Sequence, residues 1–268
     1  MATYNVNTWS EFVTAFKASG GTASDPDIIE ILSDLDVNDD APRSYIAAGG
    51  FKTINGNFHT IWNLSPLVEF SNYLIEYGGG GREIVWNRVN FNNMYRTNNN
   101  PVFHAASGTP MKFNQCTFVM KGPRIADYAV FTQCAITHTN AMWRTSWSGT
   151  TLNQCWMHYE PIFTSGVTNF DLNNVTTSYI EGKIDNIPGY TSCPNFARAI
   201  DNSVINIESS INFDHLSNIS PSANAKCVYN TTKLTGTVGA TDSNIVGVTD
   251  SQMKDASYLS SVGFNIIT

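Results

Sequence analysis

Five stretches of the chain repeat one order of apolar and polar positions: VNFNNMY, MKFNQCTFVM, AVFTQCAIT, TTLNQCWMHY and FDLNNVTTSY. Aligned on Phe91, Phe113, Phe131, Leu152 and Leu172, they recur at spacings of 22, 18, 21 and 20 residues. A period in this range is the mark of a solenoid, whose repeats bury their apolar faces only against one another. Within each stretch the apolar residues alternate, as in Val89 and Phe91, Met111 and Phe113, or Phe170 and Leu172, which is strand periodicity. The phase then slips. The next inward candidates, Met94, Cys116, Cys134, Cys155 and Val175, stand three positions after the opener, and alternation resumes with Phe118, Ile136 and Met157. A strand that changes phase once has turned a corner, and the corner residue needs a left-handed backbone that Asn tolerates well. Asn92, Asn114, Asn153 and Asn173 are placed there, with Thr132 once. The pattern predicts an all-β chain forming a single right-handed parallel β-helix of about 20 residues per coil.

The two ends change period. In NTWSEFVTAFKASGG, Trp9, Phe12, Val13 and Phe16 follow helical spacing, with Thr8 and Glu11 placed as a capping box and Gly20 as a stop. A short helix there covers the open first coil, whose edge otherwise invites aggregation. VTDSQMKDASYLSSVGF repeats the arrangement with Thr249, Gln252, Met253, Ala256, Leu259 and Gly263 as a short C-terminal helix. The expected organisation is a capping helix and lead-in over 1–26, a β-helix over 27–246 and a C-terminal cap over 247–268. No linker divides the chain.

Composition narrows the function classes. Charged residues make up 14% of the chain, against roughly 25% in an ordinary soluble domain, which suits stacked strands. The net charge is −7 and no Lys/Arg cluster exists, so nothing drives phosphate-backbone binding and no nucleic-acid partner is expected. No stretch of 18 apolar residues argues for membrane insertion, and the amino terminus shows no signal peptide. Five cysteines, an odd number, are too few for a disulfide framework. Cys116, Cys134 and Cys155 share one column, where buried thiols are the expectation and disulfides the alternative.

Candidate chemistry is sparse. Among Asp127, Glu160, Asp171, Glu181, Asp185, Asp201, Glu208 and Asp214, none matches another acid in register one period away, as glycan hydrolysis would want. Asp34, Asp36, Asn38 and Asp40 have the alternate spacing of a calcium loop, but Asp39 and Tyr45 stand where it needs Gly and Glu. His138 and His158 fall on opposite faces of their strands relative to the preceding cysteines, so zinc ligands do not converge. No catalytic residue, metal or cofactor is expected. The feature that stands out is aromatic: Trp143, Arg144, Trp147, Trp156 and His158, with Trp156 and His158 outward while Cys155, Met157 and Tyr159 point in. Exposed Trp beside Arg is a contact signature; packing under a loop is the alternative.

The segments TWSEFVTAF, DIIEILSDLDVN, FKTINGNFHTIWNL and the closing GVTDSQMKDASYLSSVGF resemble the ends of pectate-lyase-like β-helix proteins, found in bacteriophage virion proteins and bacterial surface adhesins. The likeness covers roughly residues 5–64 and 246–268; the middle agrees only in period. Adhesins of this kind carry an export signal and an anchor, and neither is seen here. The resemblance therefore implies a non-enzymatic structural protein of a virion, in capsid or tail, assembled in the host cytoplasm. Its implied partners are copies of itself, with a trimer expected, other virion proteins, and a host-surface polysaccharide. The alternatives are a polysaccharide depolymerase of tailspike type and a cell-surface adhesin.

Overall fold

A computed structural model describes residues 1–37, 46–62, 75–76, 82–95, 102–104, 110–121, 126–139, 149–160, 172–184, 192–193, 197–210, 212–216, 226–240 and 243–264. The protein is predominantly β and its strand pairs are parallel. It divides into two compact units, Met1–Thr137 and His138–Thr268.

In the first unit, strands Thr3–Val6, Asp27–Ile31, Lys52–Asn55, Ile84–Asn87, Met111–Asn114 and Ala129–Thr132 pair in that order. A second series runs Leu35–Asp36, Thr60–Trp62, Asn90–Tyr95 and Thr117–Lys121. A third, of two-residue strands, runs Ile46–Ala47, Ile75–Glu76, Phe103–His104 and Ala126–Asp127. From residue 46 to 132 the chain visits the three series repeatedly in rotation. In the second unit, Thr151–Asn153, Leu172–Thr176 and Ala197–Asp201 pair in one series, and Trp156–Glu160, Tyr179–Ile184, Val204–Ser209, Cys227–Asn230 and Ile245–Val248 in another.

The core follows from the alternation. Asp27–Ile31 and Lys52–Asn55 turn every second residue inward, as a strand must. Equivalent rings stack at the strand spacing: Phe113 on Phe131 at 5.0 Å and Phe91 on Phe118 at 4.9 Å. Trp86 sits among Phe12, Phe91, Phe103 and Phe113 with ring centres 5.4–6.3 Å away. Helix Trp9–Lys17 starts at the Thr8/Glu11 capping box and buries Trp9, Phe12, Ala15 and Phe16, so Ala15 takes the inner place expected of Val13. At the C-terminus one expected helix is two, Asp250–Met253 and Ala256–Ser261, because Asp255 caps the second afresh through the Ser257 and Tyr258 N–H groups. Among the described residues no helix is long and apolar enough to cross a membrane.

The corner differs from expectation in one residue and the repeat in two phases. Directly after the strands of the Ile84–Asn87 and Thr151–Asn153 series the left-handed residues are Arg88, Gln115, Gln133, Gln154, Thr177 and Asn202, with φ between 43° and 55°. Gln115, Gln133 and Gln154 follow Asn114, Thr132 and Asn153 instead of those residues turning. Their N–H groups continue the ladder, as Gln115 does to the Thr132 carbonyl at 2.9 Å. Asn114 instead ends its strand and donates to Asn87 at 2.9 Å; Asn87 donates to Asn55 at 3.1 Å, and Asn55 to Glu30 at 2.6 Å. Asn recurs there because a side-chain amide both donates and accepts along the stack. Asn153 likewise ends a strand, while Asn92 lies within Asn90–Tyr95 and Asn173 within Leu172–Thr176. The counterpart of Phe113 is Trp86, not Phe91, which pairs with Phe118. The counterpart of Leu152 is Val175, not Leu172.

The corner makes a sharp prediction. Gln115→Val should cost about 1–2 kcal/mol or more, since a left-handed L-residue is already penalised and β-branching worsens it, whereas Gln115→Gly should be neutral to stabilising. Asn114→Val should cost about 1 kcal/mol, the net worth of its amide hydrogen bonds. Denaturant midpoints for the three variants check the order; Gln115→Val proving as mild as Gln115→Gly would sink the assignment.

Candidate functional site

The site is built on the outer face of strands Trp156–Glu160, Tyr179–Ile184 and Val204–Ser209. Their register aligns side chains in rows. Trp156, Tyr179 and Val204 make an apolar row; His158, Glu181 and Asn206 make a polar one. Beyond it Lys183 pairs with Glu208 at 3.2 Å, and Glu160 closes its strand. Alternation alone produces this grading, because residues two apart on a strand share a face and residues in register sit side by side.

The side chains are held by one another. Trp156, 39% exposed, stacks on the His158 ring with centroids 6.0 Å apart and planes 20° off parallel. The His158 ring contacts Glu181 through Nδ1 at 3.4 Å and Glu160 through Nε2 at 3.3 Å. The Tyr179 hydroxyl accepts from Asn206 Nδ2 at 2.6 Å. Burial pushes the Tyr179 phenol upward, the Asn206 hydrogen bond opposes this, and the neighbouring Glu181 carboxylate adds to the rise, so the O–H stays a donor at neutral pH. Asn206 Oδ1 in turn accepts from buried Asn230, which also donates to Asp250 at 3.2 Å. The hydrogen bond from Lys254 and a weaker one from Asn230 hold the Asp250 carboxyl below its usual range against some desolvation.

The apolar row is partly roofed. Val204, Val228, Val248, Leu259 and Phe264 form one buried cluster, with Tyr179 and Val246 packed against it. Beside the roof, an open groove of about 360 Å³ is lined by Gln154, Trp156, Thr177, Tyr179, Val204 and Phe264. That lies at the small end of ligand-binding clefts.

Gly182 sits between Glu181 and Lys183 with φ +132°. A Cβ there would fall 1.9 Å from the Tyr159 carbonyl oxygen.

Of the residues singled out in the sequence, Trp156 and His158 meet here, outward as expected, with Met157 and Tyr159 buried between them. Trp143, Arg144 and Trp147 lie outside the described residues. Tyr179, Glu181 and Asn206 were missed. Counting Leu172 as the counterpart of Leu152 slips the alignment by three residues and sets His158 against Ser178 instead of Glu181; the observed offset is 23 residues, Leu152 to Val175 and His158 to Glu181. His138 is fully buried, its ring edge-on to Tyr159 at 5.2 Å, on the other side of the sheet from His158.

The buried cysteines serve the corners of their own strands. Cys116, Cys134 and Cys155 are buried thiols whose Sγ atoms reach the carbonyl two residues back, at the corner, at 3.3–3.4 Å. Ser178 and Ser203 do the same with hydroxyls at 2.8 Å. The position wants a small donor, and Cys and Ser are interchangeable answers. In the acidic run, Asp34 accepts from the Thr60 N–H at 2.8 Å, while Asn38, Asp39, Asp40 and Tyr45 lie outside the described residues. Among the described residues no three His, Cys, Asp or Glu side chains are grouped to hold a metal.

No protein-family model, curated protein or solved structure matches the chain.

Proposed function

We propose that the protein is a right-handed parallel β-helix of pectate-lyase-like type that serves as a structural part of a bacteriophage particle and binds a host-surface saccharide. The rotation of the chain through three parallel series, the ladders of like residues and the capping helix support the solenoid, and parallel crossovers run right-handed almost without exception. The virion assignment rests on the resemblance of the two ends to such proteins. The saccharide reading is carried by one observation: an exposed indole, stacked on a carboxylate-held imidazole, at the mouth of a groove with polar groups on one side. A sugar ring has the same two characters, an apolar C–H face for the indole and a rim of hydroxyls for Glu181, Asn206 and His158.

The test is retention of the purified protein on immobilised bacterial polysaccharides, with new chain ends followed in parallel. Retention without cleavage is expected, reduced at least tenfold by Trp156→Ala. If Trp156→Ala were retained as well as the parent, the site would be misplaced.

A second reading, depolymerase, has one observation in its favour. Glu160 and Glu181, offset in register, contact the two nitrogens of one imidazole, and a pair of carboxylates is what glycoside hydrolysis needs. New chain ends that vanish in Glu181→Gln would establish that reading in place of the first.

A further inference from the structure

Resting on the saccharide reading, the charge pattern of the same face selects among saccharides. Glu160, Glu181 and Glu208 stand on it; among the described residues the facing lysine is Lys183, already paired with Glu208, and the His158 ring is set between the other two carboxylates. Glu181 is one-third exposed and Glu160 about half. Glu181 is also held on one side by the His158 ring at 3.4 Å. The chain as a whole carries −7. Across the strands, neighbouring side chains of a row repeat at about 4.8 Å, close to the advance of one sugar ring along a glycan, so a chain lying over Trp156 and Tyr179 presents successive rings to His158, Glu181 and Asn206.

We infer that the groove takes saccharides bearing free amino groups, accepts neutral ones more weakly, and turns away those bearing carboxylates, with Glu181 the residue that sets the preference. A ring ammonium group placed over the polar row donates a charge-assisted hydrogen bond to Glu181. A uronate there meets carboxylates, and among the described residues of this face the lysine is already engaged by Glu208.

Three oligomers on one backbone test this: β-1,4-linked hexamers of glucosamine, glucose and glucuronate, with the intact chain at low and at moderate salt. The expected order is glucosamine first, glucose next, and glucuronate at least tenfold weaker than glucosamine, the gap closing as salt screens the exposed carboxylates. Glu181→Gln should lose most of the preference for the amine, the ratio of glucosamine to glucose retention falling toward one. Glu160→Gln should act in the same direction to a smaller extent. Glucuronate bound as tightly as glucosamine would overturn the inference and leave saccharide binding standing. Retention unchanged in Trp156→Ala, or no retention of any hexamer, would overturn the saccharide reading and the inference with it.

Discussion

Replacing Lys52 with Met is expected to cost about 3–5 kcal/mol of folding stability, the range for breaking a buried ion pair from one side. Lys52 and Asp27 are inward-facing partners in register on adjacent strands, 0% and 1% exposed, with Nζ 2.8 Å from Oδ2. The ammonium also donates to the Ala18 carbonyl at 2.7 Å, at the end of helix Trp9–Lys17, where a cation meets the negative end of the helix. Asp27 accepts from the Ala2 N–H at 2.9 Å. One pair thus pins the capping helix, the first strands and the N-terminal segment together.

Burial alone would raise the Asp27 carboxyl, but the hydrogen bonds from Lys52 and Ala2, with the Lys52 charge, more than reverse it and hold the group below its ordinary value. A depressed folded pKa means that the stability this group confers is present above about pH 4, the unfolded carboxylate value, and is lost as pH falls through the folded one. In Lys52→Met the sign inverts. Without the ammonium, desolvation dominates and raises the carboxyl, so stability is retained below about pH 4 and falls as pH rises toward neutrality. Thermal midpoints of both proteins between pH 3 and 7 check this; a variant that gains nothing on acidification would show that Asp27 is not uncompensated. The double change Asp27→Leu with Lys52→Met should recover much of the loss, because a packed apolar pair often equals a buried ionic one.

What the sequence made legible, and what it hid, divide along a physical line. Alternation and capping are local, so the strands and the Thr8 and Thr249 capping boxes could be read directly, and the corner to within one residue. Register between successive paired strands is not local. It is set by loops of unequal length: the step from Trp86 to Phe113 is 27 residues, from Phe113 to Phe131 is 18, and from Leu152 to Val175 is 23. A search for a constant period lands on Phe91 and Leu172, which carry similar side chains in the wrong phase. That slip is what concealed Glu181 and Asn206 beside His158. Lys52 was hidden for another reason: alternation places it inward with Ile54, but a charge read alone is assigned to solvent, and its partner lies 25 residues back. The corner error was the smallest. Asn is apt for a left-handed backbone, yet here the stack of amides claims it and passes the turn to the next residue.

Gly182→Ala is expected to damage the fold and the site together. At φ +132° an L-residue is strained, by about 1–3 kcal/mol from the backbone alone. The added methyl must then find room where the Tyr159 carbonyl oxygen stands 1.9 Å away. That atom is backbone in a strand paired with Gly182 itself, so relief requires the two strands to separate. Separation carries Glu181 away from His158, and with it the contact that sets the imidazole under Trp156. Loss of stability should therefore come with loss of saccharide retention even at temperatures where the variant stays folded. The neighbouring change Lys183→Ala, on an exposed side chain paired only at the surface, provides the comparison and should cost no more than about 1 kcal/mol. Denaturant midpoints and retention measured on the same preparations separate the outcomes. A Gly182→Ala protein as stable as Lys183→Ala would show that the strands can yield there without cost. One that is destabilised yet fully retained would show that the geometry of Glu181 does not govern binding.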